Sequence, residues 1–412
     1  MNQMDHLERD LTAWFEDIAV PRTPDYADEI LRQTARVRQR PRWTFLGRWL
    51  PQSTTALEWV PIKPLPWRTI GLLVALALLL AAGAAAYLGS QQRLPAPFGA
   101  AANGLAAYAS NGNIFTVDPV TGTRRAIVTD PSTDHAPRWS LDGTRLAFLR
   151  KAGVGDALVI ADAAGNVITT SDGEPFFDID TDGIAWSPDR RMIALVAGRP
   201  GLRGIHLVDA VDGAVTTLPV AHAGMEVHWR PPDGRQLLFF GGTEADPGLF
   251  LYSLDDRGTD EIPMSDADFT GLRPGGWTPD GRSFVFHRGS EQVEENRTDV
   301  VDVVTGETIV IHAAFGRLSH DGRRIAAIVR SGVRIWICVA DIAGGPCVRI
   351  GQDDQAPDPT HFGGLQWSPD DEWVVVHPAN GDPVVLLDPD GGDETPPSWP
   401  AEGLDSWQRT AP

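Results

Sequence analysis

Residues 185–189 read Ala-Trp-Ser-Pro-Asp, and the apolar tripeptide Ile-Ala-Leu follows at 193–195. Pro presets the backbone angle for the second position of a turn, and Ser and Asp side chains can hydrogen-bond nearby main-chain amides. The stretch therefore predicts an aromatic-led strand, a tight four-residue turn, and an apolar strand that folds back on the first.

The same unit recurs along the chain. Its turns include Ser-Leu-Asp-Gly at 140–143, Pro-Asp-Gly at 232–234 and 279–281, Ser-His-Asp-Gly at 319–322 and Ser-Pro-Asp at 368–370. Its leading residues are Trp139, Trp186, Trp229, Trp277, Leu318 and Trp367, and they are 47, 43, 48, 41 and 49 positions apart. This period is typical of four-stranded propeller blades.

Two further strands complete each predicted unit. The third strand ends at an acid in six units (Asp118, Asp162, Asp209, Asp255, Asp341 and Asp388), and in the remaining unit, at 300–304, we expect Thr305 and Gly306 instead. Fourth strands are shorter, as at 125–128, 215–218 and 308–311.

The number of blades follows from the two ends of the repeat region. Residues 105–128 supply three strands without a leading aromatic strand, and residues 404–408 (Leu-Asp-Ser-Trp-Gln) supply a leading strand with nothing after it. Together they make one blade, so the sequence predicts an all-β, seven-bladed propeller over 105–409 that is closed by pairing of its ends.

These units resemble the WD40-like propeller repeats of the TolB family, which are marked by a Trp-Ser-Pro-Asp-Gly turn and an Ile-Ala-Phe type strand. The resemblance covers about 300 residues; Thr278 stands in place of Ser, Leu318 replaces the aromatic residue, and Asp371 replaces the Gly. The resemblance implies the same propeller fold. The seven blades predicted for this chain are one more than is usual in TolB.

An uncharged stretch precedes the repeats. Residues 70–88 carry no charge, and a helix of this length, rising about 1.5 Å per residue, can cross a bilayer core roughly 30 Å thick. Trp67 and Tyr87 lie at its two ends, where amphipathic rings favour the headgroup level. We expect a single transmembrane helix over 69–89; a buried core helix is the alternative.

The charges on the two flanks predict the orientation. Residues 32–68 hold eight basic residues and one acid, Glu58, whereas the thirty residues after Leu88 hold Arg93 and Asp118. Because Lys and Arg are retained inside, the N-terminus is predicted to be cytoplasmic and the propeller extracytoplasmic. The part after residue 89 carries a net charge of about −21, which disfavours nucleic acid as a partner.

The region before the span reads as a helix pair over 1–40 and a Pro- and Trp-rich basic linker over 41–68; a second linker, 90–104, follows the span. The first helix places Leu11, Trp14, Phe15 and Ile18 on one face, as candidate partner-binding residues. This layout resembles bacterial membrane-tethered anti-sigma factors, which implies a sigma factor as the partner. The region has His6 and no Cys, so no zinc site is carried over. A tether without a regulatory role is the alternative.

Two cysteines, Cys338 and Cys347, flank a predicted hairpin tip at 342–346. A pair across two strands lies within disulfide reach, and an oxidising exterior would allow the bond. The alternative is two reduced cysteines in the core.

The acidic run Asp178, Asp180 and Asp182, with Asp189 at the twelfth place, matches the spacing of a calcium loop. The innermost strand predicted at 184–186 interrupts such a loop, so an acidic connector is the other interpretation.

The sequence holds no Gly-x-Ser-x-Gly, His-Glu-x-x-His or phosphate-binding Gly-x-x-x-x-Gly-Lys motif. We therefore predict a non-enzymatic protein without a cofactor: a membrane-anchored extracytoplasmic propeller that binds a protein, peptide or other ligand, or acts as a sensor. The alternative is an anti-sigma-like regulator, with the cytoplasmic helices on the sigma factor and the propeller as sensor.

Overall fold

The computed structural model describes residues 73–78, 94–179, 181–199, 202–220, 224, 226–243, 246–264, 272–289, 296–331, 334–351, 362–378, 384–391 and 404–411. The chain divides into two compact units, 1–85 and 86–412. In the first unit, residues 73–78 are helical, and their large apolar side chains are between 51% and 65% exposed.

Nowhere in the described ranges is a helix both long and apolar enough to cross a membrane. The rest of the predicted span, the predicted helix pair with Leu11, Trp14, Phe15 and Ile18, and the linker 41–68 lie outside these ranges.

The second unit is built from seven antiparallel sheets, which we call blades 1 to 7. Blade 1 consists of β27 (Ser406–Thr410), β1 (Ala102–Ser110), β2 (Asn113–Val117) and β3 (Arg124–Val128). Blade 2 consists of β4 (Asp134–Trp139), β5 (Arg145–Ala152), β6 (Gly155–Asp162) and β7 (Val167–Thr170). Blade 3 consists of β8 (Ala185–Trp186), β9 (Met192–Arg199), β10 (Leu202–Asp209) and β11 (Val215–Thr217), and a short 3₁₀ helix, Thr181–Gly183, precedes it.

The remaining blades repeat this order. Blade 4 consists of β12 (Val227–Trp229), β13 (Gln236–Thr243), β14 (Asp246–Ser253) and β15 (Thr259–Glu261). Blade 5 consists of β16 (Arg273–Trp277), β17 (Ser283–Arg288), β18 (Arg297–Asp302) and β19 (Thr308–Ile311). Blade 6 consists of β20 (Ala314–Leu318), β21 (Arg324–Ser331), β22 (Arg334–Asp341) and β23 (Val348–Ile350). The described strands of blade 7 are β24 (Phe362–Trp367), β25 (Val374–Pro378) and β26 (Val385–Leu387).

The two ends of the unit pair within blade 1. Strand β27 runs antiparallel to β1, with Trp407 opposite Ala106 and Ser406 opposite Ala107. The prediction that the last strand completes the first blade is confirmed, and so is the count of seven.

Apolar side chains are buried between the blades. Seven clusters each combine residues from two neighbouring blades, in the pairs 1–2, 2–3, 3–4, 4–5, 5–6, 6–7 and 7–1. The seventh cluster joins Tyr108 of blade 1 to Val375 of blade 7 and contains Trp407. Because every blade has a buried contact on both sides, the sheets form a closed ring without a free face.

The side chains of the repeated turn explain its sequence. The Ser140 hydroxyl donates to the Asp142 carboxylate (2.7 Å) and accepts from the Arg145 amide (3.0 Å). The same two bonds recur around Ser187, Thr278, Ser319 and Ser368, so Thr278 substitutes for Ser without loss. Gly143 has a φ of 68°, and a Cβ there would lie 2.2 Å from the Arg409 carbonyl oxygen, which excludes larger residues.

The expectation that the unit at 300–304 lacks its terminal acid is wrong. Strand β18 ends at Asp302, and the Asp302 carboxylate accepts from the Val304 and Thr305 amides (2.9 and 3.0 Å). Asp118 makes the same bonds in blade 1, to Val120 and Thr121. The acid thus caps the hairpin in blade 5 as well, and the strand ends two residues earlier than expected.

Candidate functional site: the central channel

The residue before the leading aromatic residue of a blade lies on the innermost strand. Residues at this position in five blades line one cavity of about 610 Å³ at the centre of the ring: Arg138, His228, Arg317, Gln366 and Ser406. Blades 3 and 5 carry Ala185 and Gly276 at the same position. We call the cavity the channel and these seven residues the inner ring.

The two inner-ring arginines are each held by backbone carbonyl oxygens of neighbouring blades. Arg138 Nη1 donates to the Asp405 carbonyl oxygen of the β27 segment, and its Nη2 donates to the Thr181 carbonyl oxygen (3.2 Å). Arg317 Nη1 donates to the Pro274 carbonyl oxygen of β16. These bonds fix the direction of both guanidinium groups while they keep their positive charge.

Three of the leading tryptophans join neighbouring inner-ring positions. The indole N–H of Trp186 donates to the Arg138 carbonyl oxygen (3.1 Å), that of Trp229 to Ala185 (2.9 Å), and that of Trp367 to Arg317 (2.8 Å). Each bond crosses from one blade to the previous one. These three Trp side chains therefore link neighbouring blades at the inner ring as well as filling the core.

Two polar pairs also face the channel. Glu226, almost fully buried, lies 3.4 Å from His228 (Glu226 Oε2 to His228 Nε2) at the start of blade 4. In blade 7 the Gln366 side-chain amide lies 2.8 Å from His377 Nε2. The Ser406 hydroxyl oxygen accepts from the Trp139 amide (3.0 Å), so its own proton is left to donate.

Arg409 of β27 connects the channel to the segment that enters the propeller. Its guanidinium donates to the carbonyl oxygens of Pro97 (2.5 Å) and Gly99. The side chain is buried, and burial lowers the pKa of its guanidinium. The chain is therefore fixed to the last strand before it enters β1.

Cys338 and Cys347 are joined by a disulfide bond in blade 6, with their Cα atoms 5.4 Å apart. Cys338 is fully buried on β22, and the strand register places Arg349, not Cys347, opposite it. Cys347 lies just before β23, so the bond runs diagonally from β22 to the residue before β23 rather than across a paired position.

The candidate calcium loop lies on the connection into blade 3. Asp178 has a φ of 48° and an 86% exposed side chain, 4.0 Å from Arg203. Asp180 and the side chain of Asp182 lie outside the described residues, so calcium binding stays a prediction. Elsewhere in the described ranges, His, Cys, Asp and Glu side chains form no group of three or more that could hold a metal ion.

The sequence analysis did not single out the inner-ring residues. Each inner-ring residue stands one position before the leading Trp or Leu of its blade. Arg138 and Arg317 therefore occupy equivalent positions in two blades. The repeat alignment could have found them, because side chains alternate between faces along a strand and the position before the buried Trp faces the axis.

Comparisons with known proteins agree with this architecture. A family described as the lipoprotein LpqB beta-propeller domain matches residues 267–404, which include blades 5 to 7. No curated protein matched the chain by sequence. One similar solved structure is a prolyl endopeptidase, with a TM-score of 0.52 and 13% identity over 71% of this chain and 49% of that chain. Another is oligogalacturonate lyase from Vibrio parahaemolyticus, with a TM-score of 0.50 and 12% identity over 69% of this chain and 91% of that chain. TolB from Acinetobacter baumannii is similar at a TM-score of 0.44, with 14% identity over 76% of this chain and 68% of that chain.

The seven sheets closed into a ring define the class: the protein is an all-β, seven-bladed β-propeller. Within that class, three of its blades match the LpqB propeller domain. The prolyl endopeptidase and the lyase, at 13% and 12% identity, show similarity of fold alone.

Proposed function

We propose that this protein is a membrane-anchored, non-enzymatic binding module whose propeller lies outside the cytoplasm and takes a protein, peptide or other ligand at its channel. The observation that carries the binding role is the channel itself. Its volume of about 610 Å³ and its convergent Arg, His, Gln and Ser side chains are features of ligand sites.

Four observations support the location. Residues 70–88 are uncharged, and basic residues are concentrated before them. Leu73, Val74, Leu76 and Leu78 are exposed large apolar side chains on the helical part of this stretch, which suits contact with lipid. The Cys338–Cys347 disulfide suits an oxidising compartment. The LpqB domain that matches blades 5 to 7 is named for a lipoprotein, which is also membrane-attached.

The orientation is tested with a reporter fused after Pro412. We expect activity from a reporter that works only outside the cytoplasm, and protease added to intact spheroplasts should remove the propeller while sparing residues 1–68. Mass spectrometry without reductant should find Cys338 linked to Cys347. Activity of a cytoplasm-specific reporter at the C-terminus, or free thiols in protein from its native compartment, would reject the location.

A second candidate is the anti-sigma-like regulator, favoured by the predicted apolar face of the first helix. In a two-hybrid assay of the full chain against the sigma factors of its host, Leu11→Asp and Trp14→Asp should abolish an interaction that Glu8→Gln leaves unchanged. If the intact chain engages no sigma factor, this candidate is rejected and the N-terminal region is a tether.

A further inference from the structure

Two connections lie at the same end of each of blades 2 to 6. One is the repeated turn between the first and second strands, and the other is the hairpin between the third and fourth strands. Backbone bonds join them: the Ala210 amide of the blade 3 hairpin donates to the Arg191 carbonyl oxygen (2.7 Å), and the Val303 amide of blade 5 donates to the Arg282 carbonyl oxygen (3.1 Å). We call the side of the ring that carries these turns and hairpins the turn face. The connections between second and third strands form the opposite face.

The hairpins of the turn face present apolar side chains at equivalent positions. In blades 1, 2, 3, 5 and 6, the acid at the end of the third strand accepts a hydrogen bond from the amide two residues later, at 2.7 to 2.9 Å. The residues that carry this amide are all exposed and apolar: Val120, Ala164, Val211, Val304 and Ala343. The three valines are 86%, 64% and 71% exposed, in that order. Exposed apolar side chains that share one face indicate a contact surface.

The chain enters the propeller across the same face. The Ala101 amide donates to the Pro369 carbonyl oxygen (2.7 Å), in the repeated turn of blade 7. Four residues earlier, the Pro97 carbonyl oxygen accepts from Arg409 at the end of β27 (2.5 Å). The segment that leads into β1 is therefore fixed to the turn face from Pro97 onward.

This attachment leaves a short tether. Pro97 is eight residues after position 89, the end of the predicted span, and eight extended residues reach about 26 to 29 Å. Strand β6 has eight residues and is about 26 Å long, so a tether that passed along the side of the ring would be used up by the height of one strand. The turn face is therefore the side of the propeller that the chain can hold next to a bilayer.

We propose that the turn face lies against the surface of the lipid bilayer, with Val120, Val211 and Val304 in the headgroup layer. The proposal rests on the proposed membrane anchoring and assigns the side of the propeller that contacts lipid. Valine side chains gain free energy when they leave water, and a short tether raises the effective concentration of this face at the membrane, so weak contacts suffice. Because the propeller is strongly acidic, we expect the contact with zwitterionic rather than anionic lipid.

The test compares two single thiols at opposite ends of β6. Val154, 91% exposed, precedes this strand on the opposite face, and Ala164, also exposed, follows it on the turn face. The full-length Val154→Cys and Ala164→Cys chains are labelled with the fluorophore bimane and reconstituted separately into phosphatidylcholine vesicles that contain a lipid with a nitroxide on its headgroup. We expect the nitroxide to quench bimane at Ala164→Cys several-fold more strongly than at Val154→Cys. The native cysteines are bonded to each other and take no label.

A second comparison separates valine contact from the effect of the tether alone. Val120→Asp combined with Val211→Asp, in the blades on either side of blade 2, should weaken the quenching at Ala164→Cys, because a charged side chain favours water over the headgroup layer. The matched control is Val154→Asp, at an exposed valine of the opposite face, and it should leave this quenching unchanged. Thermal unfolding of each variant checks that it is folded.

Equal quenching at the two thiols overturns the orientation, and unchanged quenching in the variant with two aspartates overturns the valine contact. Flotation of the same vesicles distinguishes these results from failure of the anchoring itself. A full-length chain that does not float with the vesicles refutes the anchoring and this inference together. A chain that floats but shows equal quenching at both thiols refutes this inference and leaves the proposed anchoring intact.

Discussion

The indole N–H of Trp407 donates to the Gly104 carbonyl oxygen at 3.0 Å, across 303 residues of chain. The bond lies inside blade 1, where the last strand pairs with the first, and the Trp407 ring packs into the cluster shared with blade 7. A single side chain near the C-terminus thus joins both ends of the propeller and its two neighbouring blades.

We predict that Trp407→Ala destabilises the whole propeller. Truncating a buried Trp typically costs about 3 to 5 kcal/mol, which is a large share of the roughly 5 to 15 kcal/mol that stabilises a domain. Removal of residues 404–412 should be more damaging still, because it exposes the edge of β1. Thermal unfolding provides the measurement.

The control for this closure is removal of residues 411–412, which lie beyond β27 and should leave the midpoint unchanged. A chain lacking 404–412 that unfolds at the same temperature as the intact protein would mean that the ends do not hold the ring.

Much of this fold could be predicted from the sequence because its information is local. In five of the turns a Ser or Thr hydroxyl and an Asp carboxylate bond within five residues, so these turns are encoded where they occur. The blade count depended on the long-range pairing of the strand that carries Trp407. Trp407 follows Trp367 by one blade length, and this spacing identified it as the leading residue of a further blade. The end of β18 was misplaced because Val303 and Val304 extend the apolar run beyond the capping Asp302.

The channel could not be predicted in the same way. Its charge arrangement depends on which blades lie opposite each other, and this follows from ring closure rather than from any local pattern. Arg138 and Glu226 are 88 positions apart and belong to blades 2 and 4, so no spacing rule links them.

Asp371 shows how a departure from the repeat is compensated. It takes the place of the turn Gly with a φ of 60°, and its carboxylate accepts from the amides of His320 (2.7 Å) and Asp321 (2.8 Å) on the turn of blade 6. The bonds from His320 help to lower the pKa of the buried carboxyl despite its burial. The side chain therefore offsets the backbone strain by joining two blades.

We predict that Asp371→Ala destabilises the propeller by about 2 to 4 kcal/mol, because it leaves two amides without a partner as well as a left-handed Ala. The matched control is Arg190→Ala, at the equivalent position of blade 3, where φ is 64° and the side chain, 42% exposed, makes an ion pair with the buried carboxylate of Asp142. Denaturant unfolding should give a clearly smaller loss for Arg190→Ala; equal losses would mean that the backbone alone accounts for the effect.

His287 gives the stability a pH dependence. Burial lowers its pKa to about 4, and the nearby Arg273 and Arg317 add to this effect. The ring stacks on Phe315 with the centroids 4.4 Å apart, and Nδ1 lies 3.1 Å from the Arg297 carbonyl oxygen. In the unfolded chain the pKa returns to about 6.5.

Because the unfolded state binds the proton first, the contribution of His287 is fully present above about pH 6.5 and is lost as the pH falls toward about 4. As the pH is lowered over this range, the unfolding free energy of the intact protein should decrease. The decrease should be less steep in His287→Gln. His312→Gln, at an exposed histidine, is the control and should keep the slope of the intact protein. An unchanged slope in His287→Gln would show that this ring does not set the dependence.

The location of the propeller is tested most directly by labelling single introduced thiols in intact cells with a membrane-impermeant maleimide. The native Cys338 and Cys347 are bonded to each other and do not react. Val154 is 91% exposed at the tip between β5 and β6, and Ser53 belongs to the linker predicted to be cytoplasmic. We predict that Val154→Cys is labelled in intact cells and that Ser53→Cys is labelled only after lysis. Labelling of Ser53→Cys in intact cells, with Val154→Cys protected until lysis, would contradict an extracytoplasmic propeller.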